Sequence, residues 1–217
     1  TLADWRLDDD TFRTTFKRPT AADRIEVLAA WNPLARDARI RFEEIEHQYF
    51  VDGNLVPKSV TGLVHQYEEG FNADIVLENM RPERLNRYVT SCGRLQTNEE
   101  IKIMWQQNSD MLSKRGTLLH YQAEQHLNRR RVETPHSPEF QQFLAYEKDM
   151  IHGAGYTPWR TELSMFSEQL NVAGQADLVS LHRESGTYAI FDWKRSKAIE
   201  KELSLIHISE PTRPSSL

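Results

Sequence analysis

The sequence predicts an α/β fold, with a central mixed β-sheet flanked by helices. Two observations carry that expectation. The middle of the chain, around "NEEIKIMWQQNSDMLSKRGTLLHYQAEQHLN", repeats apolar residues at helical intervals. After Pro158 the pattern changes to the short, β-rich runs "WRTELSMF", "VAGQADLVSLH" and "TYAIFDWK", separated by turn residues. Mixed elements followed by helices and then strands fit one sheet covered by helices. The bulk numbers agree. The protein has 217 residues, enough for a domain with a real core, and 39% apolar residues with five tryptophans mark it as globular. Its single cysteine, Cys92, excludes an internal disulfide framework and a multi-cysteine zinc site. A reducing, intracellular compartment is therefore expected, and no apolar run is long enough to span a membrane.

Taken in order, residues 1–40 read as an N-terminal arm, charged and irregular at first, with "DDD" at Asp8 to Asp10. Thr20 is placed to cap a helix running to about Trp31, closed by Pro33. Residues 41–202 read as the main domain, with its core from about residue 100. Phe42, Ile45, Tyr49 and Val51 sit in one or two short strands with a turn at Asp52–Gly53–Asn54. Ser59 or Thr61 can cap a helix holding Leu63 and Val64, and a further helix fits Ala73 to Met80, before Pro82. Ile101, Met104, Trp105, Met111, Leu112, Leu119, Ala123 and Leu127 fit two helices, with a break near Asn108 or Gly116. Ser137 is a good N-cap and Pro138 takes the favoured first position. The stripe Phe140, Phe143, Leu144 and Ile151 then ends at Gly153. Strands are expected over about Trp159–Phe166, Val172–His182 and Thr187–Lys194, the last two antiparallel around "RESG".

Residues 203–217 are set apart. Leu203 to Arg213 resembles the translation of a transposase-type sequencing adapter, so the segment is excluded from fold reasoning. The natural protein is expected to continue past Glu202, which makes this sequence truncated at its C-terminal end.

The chemistry gathers at "FDWK". Alternation along a strand puts Asp192 and Lys194 on one face. With Glu184 and Ser185 at the centre of the turn, Asp177 opposes Asp192; a slipped turn places Asp177 opposite Lys194 instead. Either way Asp177, Asp192 and Lys194 meet on one face. Two opposed carboxylates repel, and a divalent cation between them removes the problem. Lys194 is then placed to hold a water or to stabilise developing charge. Glu162, in the neighbouring run, can join the cluster. Against this stands an ordinary surface ion pair, since D-x-K alone is a weak motif.

Three motifs occur in order: Gly116 to His120 as G-x-x-x-H, Gly174 to Asp177 as G-x-x-D, and Asp192 to Lys194 as D-x-K. Together they resemble the RecB-type, lambda exonuclease-like branch of the PD-(D/E)xK nuclease superfamily, which includes a mitochondrial genome-maintenance exonuclease. The similarity covers roughly residues 105 to 197, with a softer match over residues 59 to 74. The resemblance implies a restriction-endonuclease-like core and a metal-dependent DNA nuclease, more an exonuclease than an endonuclease, working in DNA recombination, repair or replication. It implies His120, Asp177, Asp192 and the Trp193 carbonyl as metal ligands, Lys194 as the catalytic lysine, and Glu162 as an acidic residue of the site. Mg²⁺ is the implied ion, and the histidine allows Mn²⁺. A Q-x-x-x-Y motif usual in this branch is not found after Lys194, in keeping with the expected truncation.

The implied partner is DNA. The net charge of -5 does not advertise it, although metal carboxylates count negative and a DNA groove is local. Lys114 and Arg115, before Gly116, and Arg195 and Lys197, past D-x-K, can flank such a groove. Arg129 to Arg131 are read as a solvated helix end, with phosphate contact as the alternative, His126 and His136 as ordinary surface residues, and Glu124 as a partner of His120 one helical turn away. Two other readings stay open: a non-catalytic nucleic-acid-binding module retaining the nuclease fold, and a different metal-carboxylate hydrolase.

Overall fold

The structure, a computed structural model, describes residues 27–67 and 70–195. The elements follow as α1 (Val27–Trp31), β1 (Ile40–Glu43), β2 (Gln48–Val51), β3 (Asn54–Leu55), β4 (Lys58–Ser59), α2 (Val60–His65), α3 (Ala73–Glu78), α4 (Pro82–Leu85), α5 (Asn98–Leu127), α6 (Pro138–Tyr146), β5 (Tyr156–Ser167), β6 (Val172–His182) and β7 (Tyr188–Phe191). The fold is thus mixed α/β. It divides into a helical unit, Gly70–Tyr156, and a strand unit, residues 27–67 with 157–195. The arm before Val27 and the tail from Leu203 lie outside the described residues.

In the strand unit, β1, β2 and β3 form an antiparallel sheet. Asp52 and Gly53 link β2 to β3 with φ of 50° and 80°. Positive φ at both central residues matches the twist of a two-residue hairpin, which Asp-Gly favours. A second sheet has the order β4-β6-β5, with β7 also paired to β6. Four residues connect β5 to β6, too few for a parallel crossover, so the pair is antiparallel. β4 runs parallel to the start of β6, and β7 runs antiparallel to its end. The sheet is therefore mixed, with β6 at its centre.

Burial explains that placement. Leu178, Val179 and Ser180 are all buried, as expected of a strand covered on both faces. Leu163, Ala176 and Val179 form a core against which Leu34, Trp159 and Met165 pack. Arg160 is also buried, donating to Asp37 at 2.8 Å and to the Asn32 carbonyl at 2.9 Å. Asp37 in turn accepts the Leu34 N–H at 3.0 Å, which ties the turn after α1 to β5.

The helical unit is built on α5. Thr97 and Glu100 form a reciprocal capping box at its start. Hydrogen bonds from Arg94 and the Thr97 backbone hold the Glu100 carboxyl down at about 2. The expected break near Asn108 or Gly116 is absent: α5 is one helix of 30 residues. A lone glycine inside a helix costs only about 1 kcal/mol relative to alanine. The buried Ile101, Leu119, Ala123 and Leu127, on both sides of Gly116, outweigh that. Ser137 caps α6 and Pro138 takes its first position, as expected. The second half of that stretch differs, because Glu147–His152 winds as a π-helical turn before Gly153. Among the described residues, no helix is long and apolar enough to cross a membrane.

Candidate metal centre

Glu162 stands in the middle of β5 with φ of 46°, left-handed backbone in a strand interior. Such a conformation is uncommon for a residue other than glycine, asparagine or aspartate, and costs on the order of 1–3 kcal/mol. The Glu162 carbonyl accepts the Gln175 side-chain amide at 2.9 Å. The half-buried Glu162 and Asp177 then bring a carboxylate oxygen each to within 4.8 Å of one another. At that separation two full charges repel by roughly 3 kcal/mol at an effective dielectric constant of about 20, before other partners are counted. Buried Tyr49, on β2, senses the same charge. Burial first, and the Glu162 carboxylate second, push its phenol up to about 12, so it stays neutral.

Asp177 also organises the D-x-K segment. Its Oδ2 accepts the Trp193 N–H at 2.6 Å. The β6–β7 ladder pairs Leu178 with Phe191, and continuing that register puts Asp177 opposite Asp192. This is the first of the two registers expected from the turn. The strand itself stops short, however: β7 ends at Phe191 and does not reach Lys194 as expected. The physical reason is the Asp177 side chain, which takes the Trp193 N–H and replaces backbone pairing there. The Trp193 ring stacks on Phe191 with centroids 6.3 Å apart.

Asp192 and Lys194 therefore lie past the strand. Lys194 Nζ donates to Asp192 at 3.0 Å, and both side chains are mostly exposed. Among the described residues, the carboxylate grouped with that of Asp177 belongs to Glu162 and not to Asp192. His120 is half-buried near the end of α5, with Glu124 buried one turn later. Lys114 and Arg115 are half-buried at mid-helix, Arg195 is half-buried past β7, and Lys197 falls outside the described residues. Arg129 to Arg131 are exposed beyond the end of α5.

The glycine of G-x-x-D has a packing role. A Cβ on Gly174 would meet the Val60 side chain at 2.8 Å, so glycine lets the start of α2 approach β6. Two residues near the carboxylates escape a reading of the sequence. Gln175 occupies a variable position of G-x-x-D. Tyr49 reads as one more apolar position in an alternating strand. A signal existed for Gln175 alone: a long amide in the interior of a strand needs a polar partner.

Compared with known protein families, with curated proteins and with solved structures, the sequence and fold find no match. The chemistry of the site rests on its own residues. Two hard carboxylate oxygens from adjacent strands are a donor set that suits Mg²⁺ or Mn²⁺, ions that keep several waters and need few protein ligands.

Proposed function

We propose that the protein is a metal-dependent nuclease that hydrolyses DNA phosphodiester bonds, acting in recombination, repair or replication. The observation that carries this reading is the convergence of Glu162 and Asp177, with D-x-K docked on Asp177 through the Trp193 N–H. Glu162 and Asp177 are the proposed ligands of the ion. His120 and Asp192 are further ligand candidates, and both rest on motif order in the sequence. A bound divalent ion supplies an activated water, charge neutralisation on the phosphate and stabilisation of the leaving oxygen. Lys194 is the proposed catalytic lysine, orienting the water or countering charge as it develops. Its exposed pair with Asp192 is worth under about 1 kcal/mol, so the amine is released at little cost. An α/β core of restriction-endonuclease type is part of the same proposal.

The test is cleavage of end-labelled linear DNA and of covalently closed circular DNA, with Mg²⁺, with Mn²⁺ and with chelator. Metal-dependent loss of the linear substrate is expected, with Asp177→Asn inactive though folded. Attack on linear DNA alone marks an exonuclease. Metal-independent DNA binding without cleavage would replace this reading with that of a non-catalytic module.

A further inference from the structure

We infer that Gln175 is a positioning residue for the carboxylate pair, holding Glu162 in the backbone conformation that aims its side chain at Asp177. The inference rests on the divalent-cation reading of that pair and goes one step beyond it.

Glu162 is the only left-handed residue among the described residues of β5, and it is neither glycine nor asparagine. Its neighbours Thr161 and Leu163 are buried, at 2% and 5% exposure. The strand is therefore anchored on both sides of residue 162, and strain concentrates in the backbone of that one residue. A backbone carbonyl screened from water needs a donor, because an orphaned backbone acceptor costs about as much as a lost hydrogen bond. The Gln175 amide is that donor, at 2.9 Å. Gln175 also lies two residues before Asp177 on β6, a spacing that puts both on one face of a strand. One strand thus carries both a ligand and the clamp on the other ligand's backbone. Without the amide, that hydrogen bond no longer rewards left-handed backbone at Glu162. Relaxation to the extended region re-aims the carboxylate away from Asp177. Gln175 touches no reacting atom in this scheme; it acts through Glu162.

The experiment is a Mn²⁺ titration of the 217-residue protein, followed by the electron paramagnetic resonance signal of the free ion. Wild type, Gln175→Met and Asp177→Asn are compared, and each is also melted without metal. Methionine keeps the length of the side chain but cannot donate. Gln175→Met is expected to bind Mn²⁺ about 10-fold more weakly, the scale typical of groups that orient metal ligands. Its metal-free melting should stay close to that of wild type. The Glu162 Cα and Cβ chemical shifts should move from left-handed towards extended values. A merely structural amide would lower stability and leave Mn²⁺ affinity intact.

Failure of the two ideas can be told apart. If wild type does not bind Mn²⁺, or Asp177→Asn binds it equally well, the cation reading is wrong. If Asp177→Asn loses the ion while Gln175→Met binds like wild type, only the role of Gln175 is overturned. Should Gln175→Met not fold, Gln175→Leu takes its place. It lacks the donor and adds no charge, and wild-type affinity there would also overturn the inference.

Discussion

In the helical unit the buried Glu147 carboxylate lies between two histidines, 2.8 Å from His126 Nε2 and 3.2 Å from His152 Nε2. In the strand unit the Glu162 carboxylate lies beside that of Asp177. The first arrangement sets a carboxylate against groups that can carry the opposite charge. Burial pushes the Glu147 carboxyl up, but the hydrogen bonds and charges of the histidines outweigh it and hold it below its ordinary 4.5. The second arrangement sets like against like and adds left-handed backbone to achieve it. Stability alone explains the Glu147 cluster. It does not explain the Glu162–Asp177 pair, whose design makes sense when a cation completes it.

The largest expected effect tests the strand unit. Lys194→Ala should lower single-turnover DNA cleavage by about 100-fold or more, the range typical of lost proton-transfer or charge-stabilising groups. Mn²⁺ affinity should be retained, because no ligand is removed. Cleavage at the wild-type rate would make Lys194 an ion-pair partner of Asp192 and nothing more.

A smaller effect is expected in the helical unit. Glu147→Ala should cost about 1–2 kcal/mol in a denaturant titration at neutral pH, the worth of hydrogen bonds to a charged group discounted for the half-exposed histidines. Its pH dependence has a definite sign. The Glu147 carboxyl is depressed in the folded state, so its contribution is fully present above 4.5 and is lost as pH falls through the lower folded value. Wild type should therefore weaken on acidification below 4.5 more steeply than the variant. Parallel curves would mean that the histidines do not hold Glu147 down.

The smallest effect concerns Gly116. A Cβ there meets nothing within 4 Å, and the residue is helical. Gly116→Ala should stabilise the protein by about 0.5–1 kcal/mol through helix propensity and loss of unfolded-state freedom. A destabilised variant would indicate that the glycine of G-x-x-x-H serves a close approach.

Legibility in the sequence divides along physical lines. Signals written in one or two residues were readable. Asp52–Gly53 made its hairpin, Ser59 and Ser137 capped their helices, and β6 took the expected bounds Val172–His182. The β6–β7 register is the first of the two that the turn allowed. What escaped depends on tertiary partners. Buried flanks carry α5 through Gly116, which local propensity marks as a weak point. The Asp177 side chain ends β7 early by capturing the Trp193 N–H, an interaction between residues sixteen apart. The positive φ of Glu162 has no local signature, since glutamate does not favour it and its carbonyl meets a donor on the next strand. At the site, Glu162 and Asp177 are both legible in the sequence, but strand alternation centres the carboxylate pair on Asp177 and Asp192. That alternation ends at Phe191.

The central claim is that the Glu162–Asp177 pair is built for a divalent cation, and melting with and without Mg²⁺ tests it most directly. Wild type and Glu162→Gln are melted in chelator and again in saturating Mg²⁺. In chelator the variant should match or exceed wild type, because relief of like-charge pairing is worth up to about 1 kcal/mol. Mg²⁺ at about a hundred times its dissociation constant should then stabilise wild type by about 2.7 kcal/mol and leave the variant almost unmoved. A wild type indifferent to Mg²⁺, or a variant that gains just as much, would contradict the account.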